Sequence, residues 1–166
     1  MTKAELLALT PADFNFETHT LRINKSYQRL HREDVITPPK TLKSNRTIKM
    51  PQFLCDEMQD YLKMLYEPKE DERIFTISKS YLHHEMNRGS KVSGVKRIRV
   101  HDLRHSHVSL LINMGFTVLA IADRMGHESI DITYRYAHLF PSEQVQMAEQ
   151  LDIERMEKLN GEKSGQ

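Results

Sequence analysis

Residues 101–139 read HDLRHSHVSLLINMGFTVLAIADRMGHESIDITYRYAHL, and the architecture follows from how this stretch divides. Leu103, Leu110, Leu111 and Met114 recur at helical spacing. They predict a helix from His101 to Met114 with those four on its buried face and Gly115 as its stop. Thr117 is placed to cap a second helix that ends before Gly126, which leaves His127 exposed in a turn. Ser129 can cap a third. Pro141 and Ser142 open a last helix toward Leu159, and Asn160–Gln166 reads as a frayed tail.

Upstream, the spacing changes character. Phe53, Leu54, Met58, Tyr61, Leu62 and Leu65 predict one helix with a buried stripe, and Lys79 to about Lys91 another. Ile74–Ile77 reads as a short strand or extended piece. Before Pro51, Thr20–Arg29, Asp34–Thr37 and Arg46–Met50 alternate and carry β-branched residues, so they form a small sheet. The first nine residues are helical, with Leu6, Leu7 and Leu9 as apolar contacts, and Pro11 ends that piece. The fold class is α+β, mainly helical with a small antiparallel sheet near the N-terminus. One domain spans 1–159, followed by a flexible tail over 160–166.

The 166 residues suffice for one domain with a core. No apolar run approaches the roughly 20 residues that span a bilayer, and no signal-peptide pattern opens the chain. A lone cysteine, Cys55, excludes an internal disulfide framework and reads as a packing residue. A reducing, cytoplasmic setting is expected. Net charge is only +1, yet Arg22–Lys49 holds eight basic residues against two acidic ones, and Arg88–His107 holds six against one. A polyanion would meet both segments if the fold joins them.

His101 and His105 stand four apart on the predicted helix, as in the zinc-hydrolase pattern H-E-x-x-H with Asp102 in the acid's place. Arg104 counts against a metal, because its cation shares the face that Zn²⁺ would occupy. An anion suits that face better. The Arg104 guanidinium is a planar fork for two phosphate oxygens, and His101 can donate a hydrogen bond or take a proton. Tyr136 can serve as a covalent nucleophile if its proton is removed near cations, which Arg104, His101 and His127 could provide. Tyr134 competes. Two helical positions differ by about 200° around the axis, so only one of the two tyrosines can face the site.

Taken together, His101-Asp-Leu-Arg-His, Arg-Met-Gly-His127 and Tyr136-Ala-His resemble the catalytic core of tyrosine recombinases of the phage-integrase family. The resemblance selects Tyr136 over Tyr134, since the family's tyrosine follows the glycine-histidine pair at this distance. It extends upstream through Pro39-Lys40-Thr41-Leu-Lys-Ser-Asn-Arg46, similar to the family's β-hairpin. It implies that Lys40 protonates the leaving oxygen, with Lys43 as the competing lysine, and that Lys43 and Arg46 contact DNA phosphate. It further implies strand cleavage through a 3′-phosphotyrosyl link, double-stranded DNA as partner, and self-association in a synaptic tetramer to which Ser142–Leu159 contributes. No nucleotide cofactor or metal is expected, since one phosphodiester is exchanged for another and no glycine-rich phosphate loop or Mg²⁺ carboxylate cluster is found.

One departure stands out. The family's first catalytic arginine lies three residues before a glutamate like Glu5, and Thr2 occupies that position. Threonine cannot clamp a phosphate, so impaired cleavage is expected, and a noncatalytic DNA-binding module is the alternative. The chain resembles a catalytic domain without the family's N-terminal DNA-clamping domain. A type IB topoisomerase would share the chemistry, and only the local motifs favour an integrase.

Overall fold

A computed structural model describes residues 1–136, 138 and 144–163, with side chains over 1–136, 138 and 147–156. Helix α1 (Lys3–Leu6) is held by a capping box. The Thr2 hydroxyl accepts from the Glu5 N–H, and the Glu5 carboxylate accepts from the Thr2 N–H at 2.6 Å. Pro11 opens a 3₁₀ turn, Pro11–Asp13, and the buried Asp13 carboxylate receives the Thr10 N–H and the Lys25 ammonium.

The expected sheet is two. Strands β1 (Phe14–Asn15), β2 (Thr20–Ile23) and β5 (Arg46–Lys49) form one antiparallel sheet in the order β1-β2-β5. Strands β3 (Ser26–Leu30) and β4 (Glu33–Thr37) form a separate hairpin with Tyr27 opposite Ile36. The predicted run Thr20–Arg29 therefore breaks after Ile23. His31 and Arg32 both take left-handed backbone (φ 48° and 70°), the geometry that matches a two-residue loop to strand twist. No Asn-Gly pair marks this turn.

Leu21 and Ile23 point inward from β2 and pack with Leu9, Met50, Ile74 and Cys55, the last buried as a small packing residue. Helix α2 (Gln52–Met64) covers this core with Leu54, Met58 and Leu62, and Leu65 just beyond it joins them. Phe53 does not join that stripe. It is exposed, because Cys55 shifts the buried face away from it. Ile74–Ile77 is extended but joins no ladder, although the Ile74 N–H donates to the Leu9 carbonyl.

Helix α3 spans Lys79–Ser93 and α4 spans Asp102–Asn113. Helix α4 buries Val108, Leu111 and Ile112 against Ile121 and Met125 of α5 (Val118–Met125). Leu103, Leu110 and Met114 are exposed, contrary to their predicted burial. They share one stripe, and Arg104, Val108 and Leu111 occupy another roughly 100° further round the helix. Two apolar stripes on one helix are indistinguishable by spacing alone.

Thr117 caps α5 as expected, accepting from the Ala120 N–H, and Gly126 ends it in left-handed backbone. Helix α6 is short (Asp131–Tyr134), with the Ser129 hydroxyl accepting from the Asp131 N–H. Helix α7 runs Gln144–Lys163, past the expected end at Leu159. Pro141, Ser142 and the last three tail residues lie outside the described residues. No helix among the described residues is long and apolar enough to cross a membrane.

Candidate active site

Three elements meet at the site: the start of α4, the turn after α5, and the segment following α6. Ion pairing fixes the first. Asp102 accepts both the backbone N–H and the guanidinium of Arg99, and that cation holds its carboxyl below the usual range. Asp102 thus takes its hydrogen bonds from Arg99, while His101 and His105 both interact with its charge. Among the described residues, no three His, Cys, Asp or Glu side chains converge as a metal set.

Arg104 leaves the same turn of α4 toward α5. Its Nη2 donates to the Met125 carbonyl at 2.7 Å, while Nη1 is buried without a partner. A buried guanidinium nitrogen with an unmet hydrogen carries a desolvation penalty that an incoming anion would remove. Its anchor is a carbonyl in the last turn of α5, where the helix dipole favours a cation.

Gly126 turns the chain out of α5 with φ 67°. His127 follows, buried rather than exposed in the turn, with only 7% of its surface accessible. Its Nδ1 lies 2.7 Å from the hydroxyl of the fully buried Thr133. Burial, then the charges of Arg104 and Arg46, push its pKa down to about 4. His127 is therefore neutral near pH 7, a hydrogen-bonding group and not a second cation. If the Thr133 hydroxyl donates to Nδ1, Nε2 carries the ring hydrogen.

Arg46 is not on the surface. Its side chain is 8% exposed and paired with Glu5 at 3.2 Å. Nε also donates to the Arg124 carbonyl, and Nη1 to the Ser44 carbonyl. The residue expected to touch DNA instead ties α1, the loop before β5 and the end of α5 together. The reason is Glu5, whose buried carboxylate requires a cation. Lys40 and Lys43 are exposed and form no hydrogen bond or ion pair with another described residue. Lys43 and His127 line one cavity of about 850 Å³ between β5 and helices α4 and α5, a feature that spacing could not reveal.

Tyr136 packs on the Val108–Ile121 cluster, whereas Tyr134 is 52% exposed. The geometry thus brings Tyr136 to α4. Its hydroxyl meets Nδ1 of His105, a residue read in the sequence only as a possible metal ligand. His101 is exposed, and its ring stands edge-on to His105 with centroids 4.9 Å apart. Partial desolvation, then the neighbouring His105 and Arg104, lowers its pKa. Thr2 is occupied as the α1 cap and offers no cation. The structure therefore gathers Arg104, His127, Tyr136 and His105. Thr133 was missed by motif spacing, while Glu5 and His105 stood in the motifs without these roles, which their contacts supply.

Residues 1–143 match the description "Phage integrase family". The chain is 32% identical over 162 residues to the ICEBs1 integrase of Bacillus subtilis, covering 89% of this chain and 44% of that protein. It is 24% identical over 179 residues to the "Tyrosine recombinase XerC-like" of Caldanaerobacter subterraneus, covering 92% and 46%. The chain thus spans less than half the length of these relatives. The solved Tn1549 transposon integrase, in complex with circular intermediate DNA, matches with a TM-score of 0.69 at 19% identity, over 94% of this chain and 56% of that one. XerA recombinase matches at 0.63 and 18%, over 88% and 51%. At those identities the likeness concerns the fold, which is that of a tyrosine-recombinase catalytic domain. With the family match running from α1 through the segment that holds Tyr136, the chain belongs to the phage integrase family.

Proposed function

We propose that this domain performs site-specific DNA recombination by cutting and rejoining strands through Tyr136. The observation that carries the proposal is the unmet Nη1 of Arg104, an anion-seeking donor buried beside a histidine and a tyrosine on facing segments. Tyr136 attacks the phosphorus of a DNA phosphodiester, and the 5′ oxygen leaves with a proton from Lys40. Arg104 Nη1 and His127 donate to the phosphorane oxygens, where fixed donors stabilise the developing charge. His101 supports this cluster from the start of α4. A second strand's 5′-hydroxyl reverses the step. The phosphotyrosyl ester conserves the bond energy, so no nucleotide is consumed.

Double-stranded DNA is the substrate this reading requires, and the DNA-bound Tn1549 integrase supports it by fold. Lys43 contacts phosphate beside the site, while Arg46 shapes the site from behind. Self-association on DNA uses α7, whose Met147, Leu151, Ile153 and Met156 are exposed.

Thr2 favours a second reading, a noncatalytic DNA-binding module, because it removes one phosphate clamp. Loss of one such donor lowers rate by roughly 10²–10³. A suicide duplex bearing the joined ends of the parent element decides between them. The expected result is a slow covalent adduct, absent in Tyr136→Phe and faster in Thr2→Arg. Salt-sensitive binding without an adduct in Thr2→Arg would establish the noncatalytic module instead.

A further inference from the structure

The recombinase reading, on which this inference rests, leaves the Tyr136 proton without a destination. The phenol must lose that proton as its oxygen bonds to phosphorus. Neither expected acceptor reaches it. His127 turns its Nδ1 to Thr133, and His101 touches the His105 ring without contacting the phenol. Among the described residues no carboxylate contacts the hydroxyl either. The ring nitrogen that does is Nδ1 of His105.

This contact is built in by the fold. His105 lies on the second turn of α4, one residue after Arg104 and three before the fully buried Val108. Tyr136 packs on the Val108 cluster, which holds the phenol against α4 at the level of His105. Arg104 senses Tyr136 electrostatically, so nucleophile, phosphate donor and imidazole share one corner. The titratable and charged groups facing His105 are His101, Asp102 and Arg104 on its own helix and Tyr136 opposite.

We propose that His105 is the general base of strand cleavage and the general acid of rejoining. The Tyr136 O–H proton passes to His105 Nδ1 as the phenol oxygen forms its bond to phosphorus. The P–O5′ bond breaks, and O5′ takes a proton from Lys40. In rejoining, an incoming 5′-hydroxyl gives its proton to Lys40 while the imidazolium returns the first proton to the departing tyrosine. Every proton is accounted for without an added cofactor.

Two arms test this. In the first, without DNA, nitrogen-15 NMR of histidine-labelled chain is expected to show His105 with its hydrogen on Nε2 and Nδ1 accepting, a signature lost in Tyr136→Phe. A hydrogen on Nδ1, donated to the phenol oxygen, overturns the proposal. In the second, His105→Gln is expected to slow adduct formation on the suicide duplex by about 10²–10⁴-fold. Trifluorotyrosine at position 136, a more acidic phenol, should shrink that loss to under tenfold. An equal loss with tyrosine and trifluorotyrosine overturns the proposal and makes His105 a packing residue. A duplex with bridging sulfur at the leaving position needs no acid, so it should rescue Lys40→Ala but not His105→Gln. Rescue of His105→Gln there would reassign His105 to the leaving group. A chain that forms no adduct under any condition overturns the recombinase reading itself, a result distinct from an adduct indifferent to His105.

Discussion

At the scale of single residues, His127 shows how burial decides chemistry. Its ring is enclosed beside Arg104 and Arg46, so protonation would place a third positive charge in a poorly hydrated corner. Its pKa of about 4 lies below the ordinary histidine value. The linkage then has a definite sign. In the unfolded chain the imidazole takes its proton as pH falls through about 6.5, while the folded chain resists until about pH 4. Stability is therefore fully present above pH 6.5 and declines between 6.5 and 4, by roughly 2–3 kcal/mol for this group. Urea unfolding at stepped pH should show that slope, and His127→Asn should flatten it. An unchanged slope in the variant would mean that other groups carry the acid sensitivity. The same neutrality restricts the proposed mechanism, in which His127 would meet phosphate as a neutral hydrogen-bond donor and not as a cation.

At the scale of elements, Arg46 and Gly126 form one joint. A Cβ at Gly126 would lie 2.8 Å from Arg46 Nη1 and 2.9 Å from its Cδ. Arg46 cannot simply swing away, because it is bound to Glu5 and to two backbone carbonyls. Gly126→Ala should therefore lose about 1 kcal/mol to the left-handed backbone and more through displacement of Arg46. In an Arg46→Ala background only the backbone part should remain, so a double-mutant cycle by urea unfolding should show clear coupling. Additive losses would mean that the guanidinium yields freely. Helix α5 and its Thr117 cap were legible from the chain, as were the bounds of α3 within two residues, because caps and stops act within a turn. The buried face of α4 was not: Leu103, Leu110 and Met114 make as good a stripe as Val108 and Leu111, and only α5 decides which is covered. The Arg46–Glu5 pair spans 41 positions, a separation at which local spacing carries no signal. Arg104 and Tyr136 were proposed from the resemblance of short motifs, while His105 and Thr133 are drawn in only by their contacts.

At the scale of the whole molecule, a net charge of +1 conceals which cations remain available to a polyanion. Within the first basic segment, Arg22 and Lys25 face Asp13, Arg29 faces Asp34, Arg46 faces Glu5, and the Lys49 ammonium donates to the Thr18 carbonyl. Arg32, Lys40 and Lys43 are exposed and make no such contact with another described residue. In the second segment Arg88, Arg97, Arg99 and Arg104 are engaged by Glu85, Asn87, Asp102 and the Met125 carbonyl, leaving Lys91 and Lys96 exposed. Lys43 lines a cavity that His127 also lines, and Lys40 stands three residues before it in the chain. Each phosphate contact releases counterions and contributes about 0.9 to the slope of log affinity against log salt on B-form DNA. Fluorescence anisotropy with a generic duplex over a NaCl series should therefore show the slope falling by about 2 in the Lys40→Gln/Lys43→Gln double variant. Arg88→Gln, whose charge Glu85 already meets, should change the slope by less than about half a unit. Equal effects from the two substitutions would mean that DNA responds to total charge and that the exposed lysines beside the site form no phosphate track.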